Sequence, residues 1–314
     1  MASRTRRALG LVVVLLALVA AAPPTTPWQS PLGRDHPLTG TIWDVSTGAT
    51  ITPEVLVDRL AARRFVLLGE KHDNVDHHRL QAWLVERLIA AGRRPAVAFE
   101  MFRADQSEAI ARHLAASPRD AAGLGDAVAW HGSGWPPWSL YAPIADAALR
   151  VGLPIVAANL SESTTGALRR AGAAGVDTLQ AQRLGLDRAL PAEARERLVA
   201  ILRDSHCGHL PERAVGSFVV VQQARDGQMA AALREAGADG GVLIAGAGHA
   251  RRDFGVPRFF PPGEVTSLAF LEVTAGSTAL PAGLPFDYVW YTPRVDDTDP
   301  CERFRKPLER TRQP

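Results

Sequence analysis

The sequence predicts an α/β fold: a mostly parallel sheet flanked by helices, with a smaller helical subdomain inserted before the fourth core strand. Three observations carry this. Short apolar runs recur along the chain, "RFVLLG", "PAVAFE", "LPIVAAN", "GGVLIAGAG" and "VTSLAFLEV". They lack polar alternation, as strands covered on both faces do, and helix-length amphipathic segments separate most of them, as parallel crossovers require. Between Asn159 and Gly240 only helical patterns occur, with no comparable apolar run.

The N-terminus reads as a targeting segment. Arg4, Arg6 and Arg7 precede the apolar residues 8–22 and then "PPTTP". A basic start, a short apolar stretch and small residues fit a secretory signal peptide over residues 1–22. The run is shorter than the roughly 20 apolar residues that span a bilayer. It carries no Cys for lipid attachment, so the expected location is the free periplasm rather than a lipoprotein anchor. Residues 23–40 are Pro-rich and polar and read as a linker, which leaves residues 41–314 as one domain.

Each element has a local signal. After "RFVLLG" a helix is expected over about residues 76–91, with Asp76 as its N-cap, Leu80, Leu84 and Leu88 as its buried stripe, and Gly92 as its stop. "PAVAFE" precedes a helix near residues 105–116. A Trp-rich segment follows, then a helix over about residues 142–151 and the strand "LPIVAAN". The helical subdomain covers about residues 160–238, with "ESTTGALRRAGAAG", "PAEARERLVAILRDS" and "AVGSFVVVQQARDGQMAAALREAG" as its helices. The β-branched "SFVVVQQ" leaves a strand open there. "DYVWY" is expected to add an edge strand.

The composition, 46% hydrophobic and 22% charged with a formal net charge of +2, excludes an electrostatic nucleic-acid binder. Neither a Gly-x-Ser-x-Gly elbow nor a phosphate loop ending in Gly-Lys-Ser/Thr is present, so serine-hydrolase and P-loop readings have no support. The two cysteines, Cys207 and Cys301, are expected to form one disulfide in an exported protein.

Sites in open parallel sheets form at the carboxyl ends of the strands. The first strand delivers Glu70 and His72, the second Glu100, the third Asn159, and the fourth "GAGHARRD", with His249, Arg251 and Asp253. Glu70 and His72 share a face if the strand continues. Together Glu70, His72, Glu100 and His249 supply two carboxylates and two imidazoles, a mixture that suits Zn, Mn, Fe or Co better than Ca or Mg. They are the expected metal ligands, and the catalytic residues if the protein is a hydrolase. Singly, each has a plainer reading: Gly-x-x-His as a turn, Glu100 as a helix-terminal acid. His77 and His78, at a helix start, read as solvated or as supports. Convergence from four strands favours a site over these separate explanations.

A second constellation is "VAWHGSGWPPWSLYAP". Flat aromatics on a Gly/Pro-rich loop offer a surface for a planar apolar ligand, and His131 and Tyr141 are both haem-ligand types. The alternative, aromatics folded onto the sheet as a small core, is equally open. Arg251 suits an anionic group such as a carboxylate. A third cluster, "DSHCGHLP", holds His206 and His209 and is expected to be structural or pocket-lining.

"LLGEKHDNVDHHRLQ", "AFEMFRADQ", "WSLYAPI", "VAANL", "QARDGQMA", "AGAGHARRDFGVP" and "DPCERFR", in this order, resemble the ChaN-like family of the haem-binding-uptake Tiki superfamily, from about residue 41 to 305. The resemblance implies an exported, iron-related bacterial protein that binds haem and forms a homodimer sandwiching it. Uptake transporter components are the implied partners. A tyrosine is the implied axial ligand, and among Tyr141, Tyr288 and Tyr291 the carry-over falls on Tyr141, with Trp130, His131, Trp138 and Arg251 as further cofactor contacts. The wider superfamily includes members resembling metal-dependent proteases and erythromycin esterases. Their paired Gly-x-x-His and glutamate map onto His72, Glu100 and His249. The expected function is therefore periplasmic haem binding in iron or haem uptake. The alternative is a metal-dependent hydrolase, so enzyme activity stays open.

Overall fold

The computed structural model describes residues 23, 27–299 and 301–302; the expected signal peptide lies outside them. Eight strands form one sheet: β1 (Ile42–Asp44), β2 (Ala49–Ile51), β3 (Phe65–Glu70), β4 (Ala96–Arg103), β5 (Ile155–Asn159), β6 (Gly241–Gly246), β7 (Val265–Glu272) and β8 (Tyr288–Thr292). Their order is β2-β1-β8-β7-β3-β6-β4-β5. The six strands from β8 to β5 run parallel, and the β1–β2 hairpin joins antiparallel to β8. The mostly parallel α/β fold is thus as expected. "DYVWY" differs from expectation. It is not an edge but an interior strand, because the hairpin from "IWDVSTGATI" covers its free side. Both Val289 and Trp290 are accordingly sealed from solvent.

The nine helices are α1 (Pro53–Ala61), α2 (Val75–Ala90), α3 (Ser107–Ala116), α4 (Ala121–Ala127), α5 (Trp138–Leu149), α6 (Glu162–Ala171), α7 (Thr178–Arg183), α8 (Ala192–Ser205) and α9 (Glu212–Glu235), counted among the described residues. "SFVVVQQ" lies inside α9 and is helix, not strand. Strand alternation divides the core. Val66 and Leu68 of β3, with Val97 and Phe99 of β4, face α2 and α5. Phe65 and Leu67, with Ala98, face Met229, Ala230 and Leu233 of α9 on the other side. On α2 the stripe of Leu80, Leu84 and Leu88 is buried as expected, and Gly92, at φ +85°, ends the helix where a left-handed residue is needed.

Two boundaries move. The N-cap of α2 is Asn74, whose side chain accepts from the backbone N–H groups of Asp76 and His77. Asp76 instead anchors the chain before β1: its carboxylate accepts from Gln29 N at 2.9 Å and Ser30 N at 2.7 Å. Residues read as linker are therefore tied to α2. Helix α5 starts at Trp138, four residues earlier than the sequence suggests, so Trp138 and Tyr141 sit on a helix and not on the loop.

Between β5 and β6 the chain is helical, α6 to α9. The loop after α8 is closed by the Cys207–Cys301 disulfide, with a Cα–Cα distance of 5.4 Å and a sequence separation of 94. A cross-link over so long a loop restricts the unfolded chain more than the folded one. Cys207→Ser with Cys301→Ser should lower unfolding stability by about 2–4 kcal/mol. Urea melts of this double variant against the oxidised protein check it, and equal midpoints would show that the cross-link does not restrict the unfolded chain more than the folded one.

Candidate functional site

The strand faces decide where the four expected site residues go. Glu70 follows Val66 and Leu68 in the alternation of β3, so its side chain points at α2 and α5. Glu100 follows Ala98 on β4 and points the other way, at α9. In the sheet, β6 lies between their strands. β3 ends at Glu70, so the expected shared face with His72 is not formed. His72 turns over the carboxyl edge of the sheet and joins the two sides. Its Nδ1 lies 2.9 Å from Glu70 Oε1 and its Nε2 3.9 Å from Glu100 Oε2.

The chain of charges continues at both ends. Beyond Glu100, His249 Nε2 is 3.2 Å from Glu100 Oε1, and His249 Nδ1 is 2.5 Å from Asp226 Oδ1. Beyond Glu70, His78 Nδ1 is 3.1 Å from Glu70 Oε2, and Tyr141 OH donates to Glu70 Oε1 at 3.0 Å. The result is Asp226–His249–Glu100–His72–Glu70–His78: three carboxylates alternating with three imidazoles, a set that is neutral when all six are charged. Five of the six are buried, and only the His72 side chain, 32% exposed, reaches solvent. The ring of Trp135 flanks it edge-on at 4.8 Å.

Backbone detail fixes these positions. Gly246 N donates to Glu100 Oε2 at 2.7 Å, and a Cβ at Gly246 would meet His72 Nε2 at 2.9 Å, so a side chain there would push the imidazole off the end of β6. The register of β4 against β5 shifts between Phe99 and Arg103, a bulge next to the site. Asn159 Nδ2 fills that gap by donating to Glu100 O at 2.9 Å. His78 Nε2 donates to His72 O at 2.9 Å, which ties the turn after β3 to α2.

The electrostatics follow from burial set against close opposite charge. Burial opposes the charge of His249, yet Glu100 and Asp226 on its two ring nitrogens push its pKa up to about 10. Burial likewise works against the Glu70 carboxylate, but His78 and His72 hold it at about 2. Burial raises Asp226 to about 6, and its Oδ2 has no hydrogen-bond partner. His72 and His78 are both raised by Glu70. Against burial, the neighbouring carboxylates favour the cationic form of each imidazole.

This arrangement does not suit the metal set expected from the sequence. Glu70 and Glu100 lie on opposite faces of the sheet, and His249 has a carboxylate at each ring nitrogen. Among the described residues no three His, Cys, Asp or Glu side chains group as metal ligands. The donors are brought together in a line, not around a point.

The residues of the aromatic segment expected to contact haem differ in how open they are. Tyr141 is sealed from solvent, and its hydroxyl is spent on Glu70. Burial and the Glu70 charge raise its pKa, so it stays a neutral phenol. Trp130, 3% exposed, packs on Trp138 at 4.8 Å and on Tyr141 at 5.2 Å. Both indoles donate to backbone carbonyls, Trp130 to Pro136 and Trp138 to Ala121. These three form the small core that was the alternative reading. His131 alone of that set is open, with a side chain 91% exposed. Arg251 stands apart, bound to Asp253.

Sequence reading missed Asp226, and of the two readings of His77 and His78, solvated or supporting, the structure places them in the second. Both histidines are buried. His77 Nδ1 accepts from Lys71 N at 2.9 Å and its Nε2 donates to Thr292 Oγ1 at 2.7 Å. Asp226 sits four residues after Gln222 on α9, and both reach His249. That i, i+4 polar pair on an otherwise apolar face was the available signal. His206 packs on Phe218.

The family model described as "Haem-binding uptake, Tiki superfamily, ChaN" matches residues 56–260. Among solved structures, ChaN of Campylobacter jejuni, described with cofacial haem binding, is 22% identical, with 79% of this chain and 95% of that one covered and a TM-score of 0.60. The type III effector HopBA1 is 17% identical over 76% of this chain and 92% of its own, with a TM-score of 0.46. An erythromycin esterase, EreC, is 16% identical over 80% and 81%, with a TM-score of 0.43. No curated protein matches. With the family model spanning most of the chain, and with the sheet and helices described above in place, this protein belongs to the ChaN family of haem-binding uptake proteins in the Tiki superfamily.

Proposed function

We propose that this chain is an exported, periplasmic haem-binding protein of iron or haem uptake. The family match over residues 56–260 carries the reading. The basic, apolar leader supports export, as does the Cys207–Cys301 disulfide, since such bonds persist in oxidising compartments. Among the described residues no helix is long and apolar enough to cross a membrane. Haem ligation falls to His131 in this reading, because it is the open imidazole of the aromatic segment and Tyr141 is enclosed. A homodimer around haem and contact with uptake transporter components complete the proposal.

Haem titration tests it. The wild type should show a saturable Soret shift, and Tyr141→Phe should keep it. His131→Ala should weaken binding about ten-fold or more, and sedimentation should show dimers only with haem. A wild type without a saturable shift would end the haem reading, and a shift lost in Tyr141→Phe but kept in His131→Ala would return the ligand to Tyr141.

One observation favours a second reading. A solvent-reaching imidazole backed by carboxylates on both sides is an acid–base arrangement, as used by hydrolases. In that reading His72, held toward its cationic form by Glu70 and Glu100, gives a proton to the leaving group of an ester or peptide as water attacks, and the proton that the water loses restores it. Its mark is turnover of a chromogenic ester or peptide that disappears in His72→Ala. Stoichiometric metal in the purified protein, lost in His249→Ala, would restore the metal-dependent version.

A further inference from the structure

We propose that Arg197, Arg251 and Arg252 form a binding site for an oxyanion of the carboxylate or phosphate class, using none of the residues of the carboxylate–imidazole chain. These side chains, with Asp253 and the loop around Leu284, line a surface cavity of 490 Å³, a volume typical of small-molecule sites. Arg197 comes from α8 and the other two from the turn after β6, so two parts of the fold meet at this cavity.

Asp253 organises the site. Its carboxylate, 15% exposed, accepts from Arg251 Nε at 3.0 Å and Nη2 at 2.7 Å, and from Arg197 Nε at 2.9 Å. One carboxylate therefore orients two guanidinium groups. The face of Phe254 supports the Arg251 guanidinium at 4.6 Å. Arg252 Nη1 pairs with Asp287 at 3.0 Å. Three guanidinium charges thus stand against two carboxylates. Glu193 approaches Arg197 at 3.8 Å, but it is 86% exposed and water screens it. One positive charge remains at a cavity wall whose donors are already fixed in position. An oxyanion supplies the missing charge and accepts from forked N–H donors, the geometry that guanidinium groups recognise.

Two sources carry this chemistry: the propionates of a bound haem, and a free small anion. The test uses the full chain in calorimetric titrations with inorganic phosphate and with citrate, at constant ionic strength and with chloride as the control. Saturable binding above chloride is expected, weakened about ten-fold or more in Arg252→Gln and in Arg251→Gln. Arg252 is 57% exposed, so its variant should melt like the wild type even if loss of Arg251 disturbs folding. Competition of phosphate with haem, together with Arg252→Gln weakening haem but not haem dimethyl ester, assigns the site to propionate. Independent binding of phosphate and haem assigns it to a free anion. Absence of saturable phosphate and citrate binding, or affinities unchanged in Arg252→Gln, overturns the proposal. The anion titration needs no haem, so a failed Soret titration leaves this test intact.

Discussion

Glu100→Gln should cost about 3–5 kcal/mol of unfolding stability, the range for removing one partner of a buried ion pair. The substitution keeps the shape and leaves an oxygen to accept from Gly246 N. It removes only the charge between His249 and His72. The His249 imidazolium then keeps Asp226 alone, a carboxylate whose own charge burial disfavours. Its pKa should fall from about 10 toward the usual range, and at neutral pH the buried cation is either left with that one disfavoured carboxylate or lost. Urea unfolding at pH 7 measures the cost. The double variant with His249→Gln should be less damaged than the sum of the single variants, because it leaves no uncompensated cation. A loss under about 1 kcal/mol, with additive single effects, would mean that the chain is not charged in the folded protein.

The legible part of this molecule was what depends on local sequence. Continuous apolar runs gave five of the parallel strands, and the spacing of Leu80, Leu84 and Leu88 gave the buried face of α2. Glu70, His72, Glu100 and His249 were found from where strands end, and these four do meet. What strand periodicity could not give was the sheet order. That order puts β6 between β3 and β4, and the parity of each strand then sends Glu70 and Glu100 to opposite faces. A cage expected from residue types became a line for that reason. Asp226 was hidden because α9 packs against the sheet, so its polar residue reads as a surface acid until the partner His249 is placed. The burial of Tyr141 was hidden for a similar reason. Its segment looked like a Gly/Pro loop, but the helix begins at Trp138 and turns the phenol inward. For His77 and His78 the sequence left solvated and supporting roles open, because a helix start can face water; here α5 and the hydroxyl of Thr292 cover it.

His77 also makes the protein acid-sensitive. Burial, and to a lesser degree the neighbouring His78, lowers its pKa from 6.5 to about 3. The imidazole is neutral because Nδ1 accepts the Lys71 N–H. In the unfolded chain it takes up a proton near pH 6.5, and in the folded chain not until about pH 3. Between these values the unfolded state binds more protons, so stability falls as pH falls, by as much as about 1.4 kcal/mol per pH unit. Across the window this sums to something on the order of 4 kcal/mol. Other groups shape the same curve, among them Glu100, which His249 and His72 hold far below the carboxylate range despite its burial, and Asp44, held at about 2. Glu70, depressed to about 2, adds further loss below about pH 4.5. Asp226, raised to about 6, acts in the opposite sense, since the folded state takes its proton first and gains stability as pH drops from about 6 to 3.8. The wild-type curve alone cannot separate these contributions, but His77→Asn does. Asparagine can still accept from Lys71 N and does not titrate. Its packing loss lowers stability at every pH alike, so the information lies in the slope. Urea unfolding at half-unit steps from pH 7 to 4 should give a variant slope shallower than the wild type by close to one proton. Parallel curves would show that His77 is protonated in the folded protein, and that the Lys71 and Thr292 contacts do not fix its neutral form.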